Sequence, residues 1–181
     1  MKNHSKILWL TQTALMLALL VAVQGVTAGL GNQFVTGSCV NLILGVTALV
    51  VGLWGGAAVA LTSPFLAFLF GIGPKFIQLL PGIAAGNLVL VLVLALVIRS
   101  GAVPLWRRAL GWLAAAAAKF ATLYLVMVQF LVPMLVSGGT IPAKASAALS
   151  AQFSWPQLIT ALIGGGMAVL MAPTLRKALK K

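Results

Sequence analysis

The sequence predicts an all-α membrane protein, a bundle of six transmembrane helices with both termini cytoplasmic. Three observations carry this. First, charged residues make up 7% of the chain and hydrophobic residues 62%, with a mean hydropathy of +1.15; soluble domains hold roughly 25% charged residues. So little polar side chain cannot cover a surface facing water, so lipid must be the main solvent. Second, a membrane helix needs ~20 apolar residues, and six apolar segments of about that size can be placed. Third, the cations are distributed unequally between the two sets of connecting segments.

The first helix is expected over about 7–24, the second over 38–54 and the third over 56–71, with a turn at Gly55–Gly56 between the last two. The fourth runs over about 79–98, the fifth over 105–136 behind Pro104, and the sixth over 155–175. Residues 1–181 then form a single integral membrane domain, without tandem repeats or a soluble unit. The run from Ile7 to Val23 follows Lys2 and Lys6, as in a signal peptide. It is longer than the usual 7–15-residue apolar region, and no clean cleavage site follows, so it reads as a retained helix.

Orientation follows from Lys and Arg near the helix ends, which stay preferentially in the cytoplasm. With the N-terminus inside, the inner segments hold nine cations: Lys2, Lys6, Arg99, Arg107, Arg108, Arg176, Lys177, Lys180 and Lys181. The outer segments hold two, Lys75 and Lys144, and Lys119 falls within the membrane. The net charge of +12 is thus a signature of topology rather than of nucleic-acid binding. The outer loops are expected to differ: 25–38 long and uncharged, 71–78 short and rigid, 137–155 long, small-residue and mobile. Loops on a rigid scaffold carry function, which points to a binding site at the outer end.

The absences narrow the chemistry. The chain has no Asp or Glu. Paired-carboxylate catalysis, a Ser-His-Asp triad, and the usual proton relays and Na⁺ ligands of secondary transporters all need one. There is no G-x-x-x-x-G-K-[ST] loop for ATP. His4 and Cys39 each stand alone, too few donors for a metal site. The chain reads as no enzyme, with no cofactor or metal of its own; uphill transport would draw its energy from another polypeptide.

Lys119 is the unusual residue. It lies 11 residues past Arg108 in "WLAAAAAKFATLYLV", about 16 Å along a helix axis, near the middle of a ~30 Å hydrocarbon core. Thr122, Val126 and Gln129 follow at helical spacing, so Lys119 heads a stripe that ends in an amide nearer the outside. An intramembrane cation usually faces a cavity or the bundle interior. Lys119 would meet a carboxylate, phosphate or carbonyl of a ligand, or else backbone carbonyls or a partner subunit, or snorkel. Other polar groups converge on the same half: Asn87 in the fourth helix, and Gln157 and Thr160 on one face of the sixth. Asn32, Gln33 and Thr36 lie in the first outer loop, Lys75, Phe76 and Gln78 in the second, and Trp155 at the start of the sixth helix. Trp155 also suits an interfacial anchor, and the loop amides ordinary solvation. In the first helix, Ala14, Ala18 and Ala22 share one face. Small-xxx-small faces let helices approach closely, within this bundle or on a partner.

Taken together these features resemble the substrate-binding subunits (S-components) of energy-coupling-factor vitamin transporters, over nearly the whole chain. The resemblance rests on size, six spans, inner termini, the alanine run and the uncharged first outer loop. It extends to the hairpin "LILGVTALVVGLWGGAAVAL" and to "LLPGIAAGNLVLVLVLALVI" with Asn87. It implies a binding subunit in the cell membrane whose face at Ala14, Ala18 and Ala22 docks on a membrane scaffold subunit driven by two ATPase subunits. It further implies toppling of the loaded subunit, which carries a vitamin inward. Nickel and cobalt members carry His beside the initiator Met, where this chain has Lys2, and cationic thiamine would favour a carboxylate. The nearest resemblance is to the cobalamin-specific member, whose ligand offers amides and a phosphodiester. Pantothenate or biotin would use Lys119 as a carboxylate partner. A ligand-free assembly protein and a stand-alone facilitator are the competing readings.

Overall fold

The computed structural model describes residues 2–98 and 103–179, with side chains from Ser5 onward. Arg99, Lys180 and Lys181, and the side chains of Lys2 and His4, lie outside the described residues. Among the described residues all regular structure is helical. The order is α1 (Lys2–Ala28), α2 (Gln33–Val46) continuing through a π turn (Thr47–Val51), then α3 (Leu53–Leu69). A 3₁₀ turn (Ile77–Leu79) leads into α4 (Leu80–Val97). The longest rod is α5 (Leu105–Leu123), a π segment (Tyr124–Leu131) and α6 (Val132–Ser137); α7 (Ala143–Gln152) and α8 (Trp155–Ala178) complete the chain. Five stretches are long and apolar enough to cross a membrane, and α3, with 17 residues, is a shorter apolar helix.

Several expected boundaries move, each for a local reason. The first loop shrinks from 25–38 to 29–32. The α1 helix continues to Ala28, and Asn32 starts α2 by accepting hydrogen bonds from the backbone N–H of Phe34 (2.9 Å) and Val35 (3.4 Å). An asparagine N-cap satisfies backbone donors that a helix start leaves open. The break between α2 and α3 falls at Gly52, whose φ of +106° is a backbone state that glycine reaches without steric cost. Gly55 and Gly56 lie inside α3, where they admit close neighbours: a Cβ on Gly56 would meet the Ala48 Cα at 3.1 Å. The third loop holds a helix of its own, α7, behind Pro142.

Helices α2 and α8 make the most extensive contact, and α4 and α5 the next. Glycine sets both distances. At Gly164 the backbone of α8 lies against α2, so that an added Cβ would stand 2.7 Å from the Leu42 amide nitrogen and collide with the Ser38 carbonyl. On α4, Gly86 receives the side chain of Leu123. One apolar core joins α1–α5 and α8 around Leu44, Val59, Leu90, Leu94 and Ala116. A second lies under α7 around Leu79, Leu123, Met127 and Phe153.

The outside is also apolar: Trp54, Leu69, Leu105 and Leu170 are each at least 75% exposed. The two ends differ in charge. One end gathers Lys6, Arg107, Arg108, Arg176 and Lys177; the opposite end carries Lys75 and Lys144. At the basic end Arg176 donates from Nε to the Leu49 carbonyl at 2.7 Å, with a second bond from Nη2 to the same oxygen.

Overpacking a tight contact typically costs about 1–3 kcal/mol. Gly164→Ala is therefore expected to lower unfolding stability in detergent by about that amount. Gly25→Ala, whose Cβ would meet only the tip of Ile72 at 3.4 Å, should leave stability near wild type. Indistinguishable unfolding midpoints for the two variants would refute the tight α2–α8 contact.

Candidate ligand-binding site

A cavity of about 320 Å³ opens at the end opposite the basic cluster, between α1, α2, α3, α4, α7 and α8, and reaches inward to α5. At its inner limit is Lys119, only 3% exposed. The local sequence explains its burial. Small residues flank it on the same face, with Ala115 and Ala116 fully buried, so α5 lies close enough to its neighbours to enclose the lysine.

The Lys119 ammonium donates to Asn41 Oδ1 at 2.6 Å and to Asn87 Oδ1 at 2.7 Å. Asn41 in turn donates from Nδ2 to Thr160 Oγ1 at 3.2 Å, and the Thr160 hydroxyl donates to the Gln157 carbonyl at 3.2 Å. Asn41 and Thr160 are buried. This chain of bonds ties α5 to α2, α4 and α8 at one depth. Taking an ammonium out of water costs several kcal/mol, and with no Asp or Glu in the chain the carbonyl dipoles of two asparagines take the place of hydration. An ammonium has three N–H donors, and Lys119 lines the cavity with two of them used on the asparagines.

The rim is made of amides. Gln33 Nε2 donates to the Gln152 carbonyl at 2.7 Å, and Gln157 Nε2 to the same oxygen at 3.1 Å. One carbonyl at the end of α7 thus links α2 and α8 over the mouth. Gln24 from α1 also lines the cavity, and its buried Oε1 has no hydrogen-bond partner among the described residues. Ser63 and Pro64 of α3 and Gly73 and Pro74 of the following loop close the remaining side.

Of the residues singled out in the sequence, Asn32, Gln33, Thr36, Asn87, Lys119 and Gln157 line this cavity. Thr160 sits directly behind it, holding Asn41. The others lie elsewhere. Lys75 and Gln78 are exposed, and Phe76 packs on the second core. Trp155 is 59% exposed and stacks on Phe34 at 5.7 Å between ring centres. Thr122 gives its hydroxyl to the Ala118 carbonyl of its own helix at 2.8 Å.

Gln129 is exposed, and the reason is helical phase. The expected stripe assumed an unbroken α-helix, whereas the π segment from Tyr124 to Leu131 inserts wider turns. Leu123 and Met127 face inward instead. The sequence reading missed Asn41, Gln24, Ser63 and Gln152. Asn41 carried the same signal as Asn87, a lone amide inside an apolar run.

On α1, Ala14, Ala18 and Ala22 are exposed. Together with Leu17, Leu66 and Phe70 they line an apolar groove between α1 and α3. No protein-family model, curated protein or solved structure matches this chain.

Hydrogen bonds to a charged group contribute about 1.5–3 kcal/mol. Asn41→Leu is expected to destabilise the protein by about that amount, because it strands part of a buried charge. Adding Lys119→Met should recover most of the loss, since removing both members of a buried polar pair is far less costly than removing one. A double-mutant cycle by unfolding in detergent reads this directly. Additive losses would show that the two side chains are not coupled.

Proposed function

We propose that this chain is the solute-binding subunit of an ATP-driven vitamin importer, of the kind represented by the S-components of energy-coupling-factor transporters. It sits in the cell membrane as a six-span protein with both termini cytoplasmic. The observation that carries this reading is the cavity whose inner limit is a buried cation solvated by two asparagine carbonyls. A buried polar cluster at the end of an open cavity is the usual form of a small-molecule site. In a chain without acids, the group that completes it is an anion or a strong hydrogen-bond acceptor. The clustering of described cations at the end away from the cavity agrees with a cavity that opens outward. Five of the spans meet the length and apolarity that a bilayer demands, and α3 is short by a few residues, which local thinning or tilt of its neighbours accommodates.

Energy would come from partner chains, a membrane scaffold and two ATPases, because this chain has neither an ATP-binding loop nor a carboxylate to couple to an ion gradient. The exposed alanine face of α1 supports docking on such a scaffold: small residues allow a close helix–helix approach in lipid, and the groove beside them is wholly apolar in its lining.

Both cargo classes suit an acid-free amide rim. A volume of about 320 Å³ favours a pantothenate- or biotin-sized carboxylate that reaches Lys119. Cobalamin, with its corrin ring and nucleotide loop, would need the rim at Gln33, Gln152 and Gln157 to part, or would remain partly outside.

Calorimetric titration of the purified chain with pantothenate, biotin, cobalamin and thiamine in turn is expected to give submicromolar binding of one. Lys119→Met should weaken a carboxylate cargo by about 10–100-fold, as expected for loss of a charge-assisted contact of about 1.5–3 kcal/mol. No binding by any of them in a monodisperse, folded sample would favour an assembly protein instead. Ala18→Leu should keep cargo affinity and lose uptake in vesicles that contain the partner subunits. Wild-type uptake by that variant would remove α1 from the docking surface.

A further inference from the structure

The basic end holds a second cavity, of about 210 Å³, that shares no lining residue with the first. Three cations face it: Arg108 from α5, and Arg176 and Lys177 from the last turn of α8. Its inner walls are apolar and include Leu49, Ile98 and Val169.

The cations are incompletely used by the protein. Arg108 gives Nε to the Val103 carbonyl at 3.0 Å. Arg176 gives Nε and Nη2 to Leu49. Both guanidiniums are half-buried and line the same cavity. A guanidinium carries five N–H donors, so each presents further donors beside those bonds. The chain has no Asp or Glu side chain to bridge them. Two like charges held on either side of a partly apolar cavity form a receptor for an anion with several acceptor oxygens, and a phosphate meets guanidinium geometry well.

We propose that this cavity is a phosphate-binding site for the headgroup of an anionic phospholipid. The proposal rests on the membrane reading of the chain and is independent of the cargo. The surroundings favour a lipid over a soluble anion. The cations sit at a helix end, at the level where headgroups lie if these helices span the bilayer. Leu105, Trp106 and Leu170, each at least 67% exposed, offer apolar surface on the same helices for acyl chains. Basic pockets between helix ends are recurrent sites of anionic lipid binding.

The test is native mass spectrometry of the full chain in mild detergent, with phosphatidylglycerol, phosphatidylcholine or inorganic phosphate added. Wild type is expected to retain one phosphatidylglycerol and no phosphatidylcholine. Each basic residue near a membrane surface contributes about 1 kcal/mol, about fivefold in affinity. R108Q/K177Q should therefore lower retention by about 25-fold. Arg176 is left in place because it holds Leu49. R107Q, at the same end but outside the cavity, should lose no more than the about fivefold of one surface charge, and K144Q, at the other end, should retain lipid as wild type does. Thermal stabilisation by phosphate alone would assign the site to a soluble phosphate; stabilisation by phosphatidylglycerol alone assigns it to the headgroup. Equal retention of the two lipids by wild type overturns the proposal whatever the variants do. Equal loss in R107Q would reduce the effect to diffuse surface charge. No response to either phosphate source would assign the cations to a carboxylate of a partner protein.

Discussion

The arrangement of this molecule depends on one electrostatic constraint: a lysine is buried in a chain that contains no acid. Lys119 cannot form an ion pair within its own protein, so it must be solvated by dipoles, and the strongest available are side-chain carbonyls. Two asparagines from two different helices supply them at 2.6 and 2.7 Å. That requirement fixes α2, α4 and α5 in mutual rotation and depth, because a shift by one residue on any of them would turn an amide away. Thr160 extends the same network into α8. The polar network thereby specifies an arrangement that apolar packing alone leaves degenerate, a role documented for some buried polar groups.

Close approach is what makes such a network reachable. Asn and Thr side chains are short, so the backbones that carry them must lie near one another. Gly164 against α2, Gly37 beneath Thr160 and Gly86 beneath Leu123 provide that proximity. In lipid, where apolar side chains gain little by leaving their solvent, close backbone packing and interhelical hydrogen bonds hold helices together. Glycine contacts and the asparagine–lysine cluster therefore belong to one design: the first brings the helices together and the second fixes their register.

The two ends of the bundle treat positive charge in opposite ways. At the amide end a single cation is drawn inward and solvated by carbonyls, which leaves a cavity with a positive inner limit and a neutral rim. At the basic end Arg108 and Arg176 are half-buried against backbone carbonyls and line one cavity. In the proposed importer the first arrangement receives cargo from outside, while the second holds the inner end at the headgroup layer.

Much of this was legible in the sequence. Helical periodicity, apolar composition and the clustering of cations at segment ends are local properties, and they fixed the all-helical class and the approximate helix positions. The complete absence of acids further required that any partner of Lys119 be neutral or come from outside, and the isolated Asn87 was a visible candidate. Asn41 was equally visible but became its equal only when the packing of α2 on α8 brought it within reach of the Lys119 ammonium. Gln129 left the expected stripe because a π segment changed the helical phase, an event without a clear residue signature. The turn moved from Gly55–Gly56 to Gly52 because neighbouring glycines serve either packing or turning and only the facing helix decides which, and the first loop contracted because α1 runs on to Ala28 and Asn32 caps α2. The sequence by itself determined an apolar composition that suits a bilayer, the helices and the lack of an acidic side chain, since these follow from composition and local spacing. Only the tertiary structure decided which neutral groups meet the lysine and where the cavity lies, because those depend on rotation, depth and backbone distance between helices far apart in the chain.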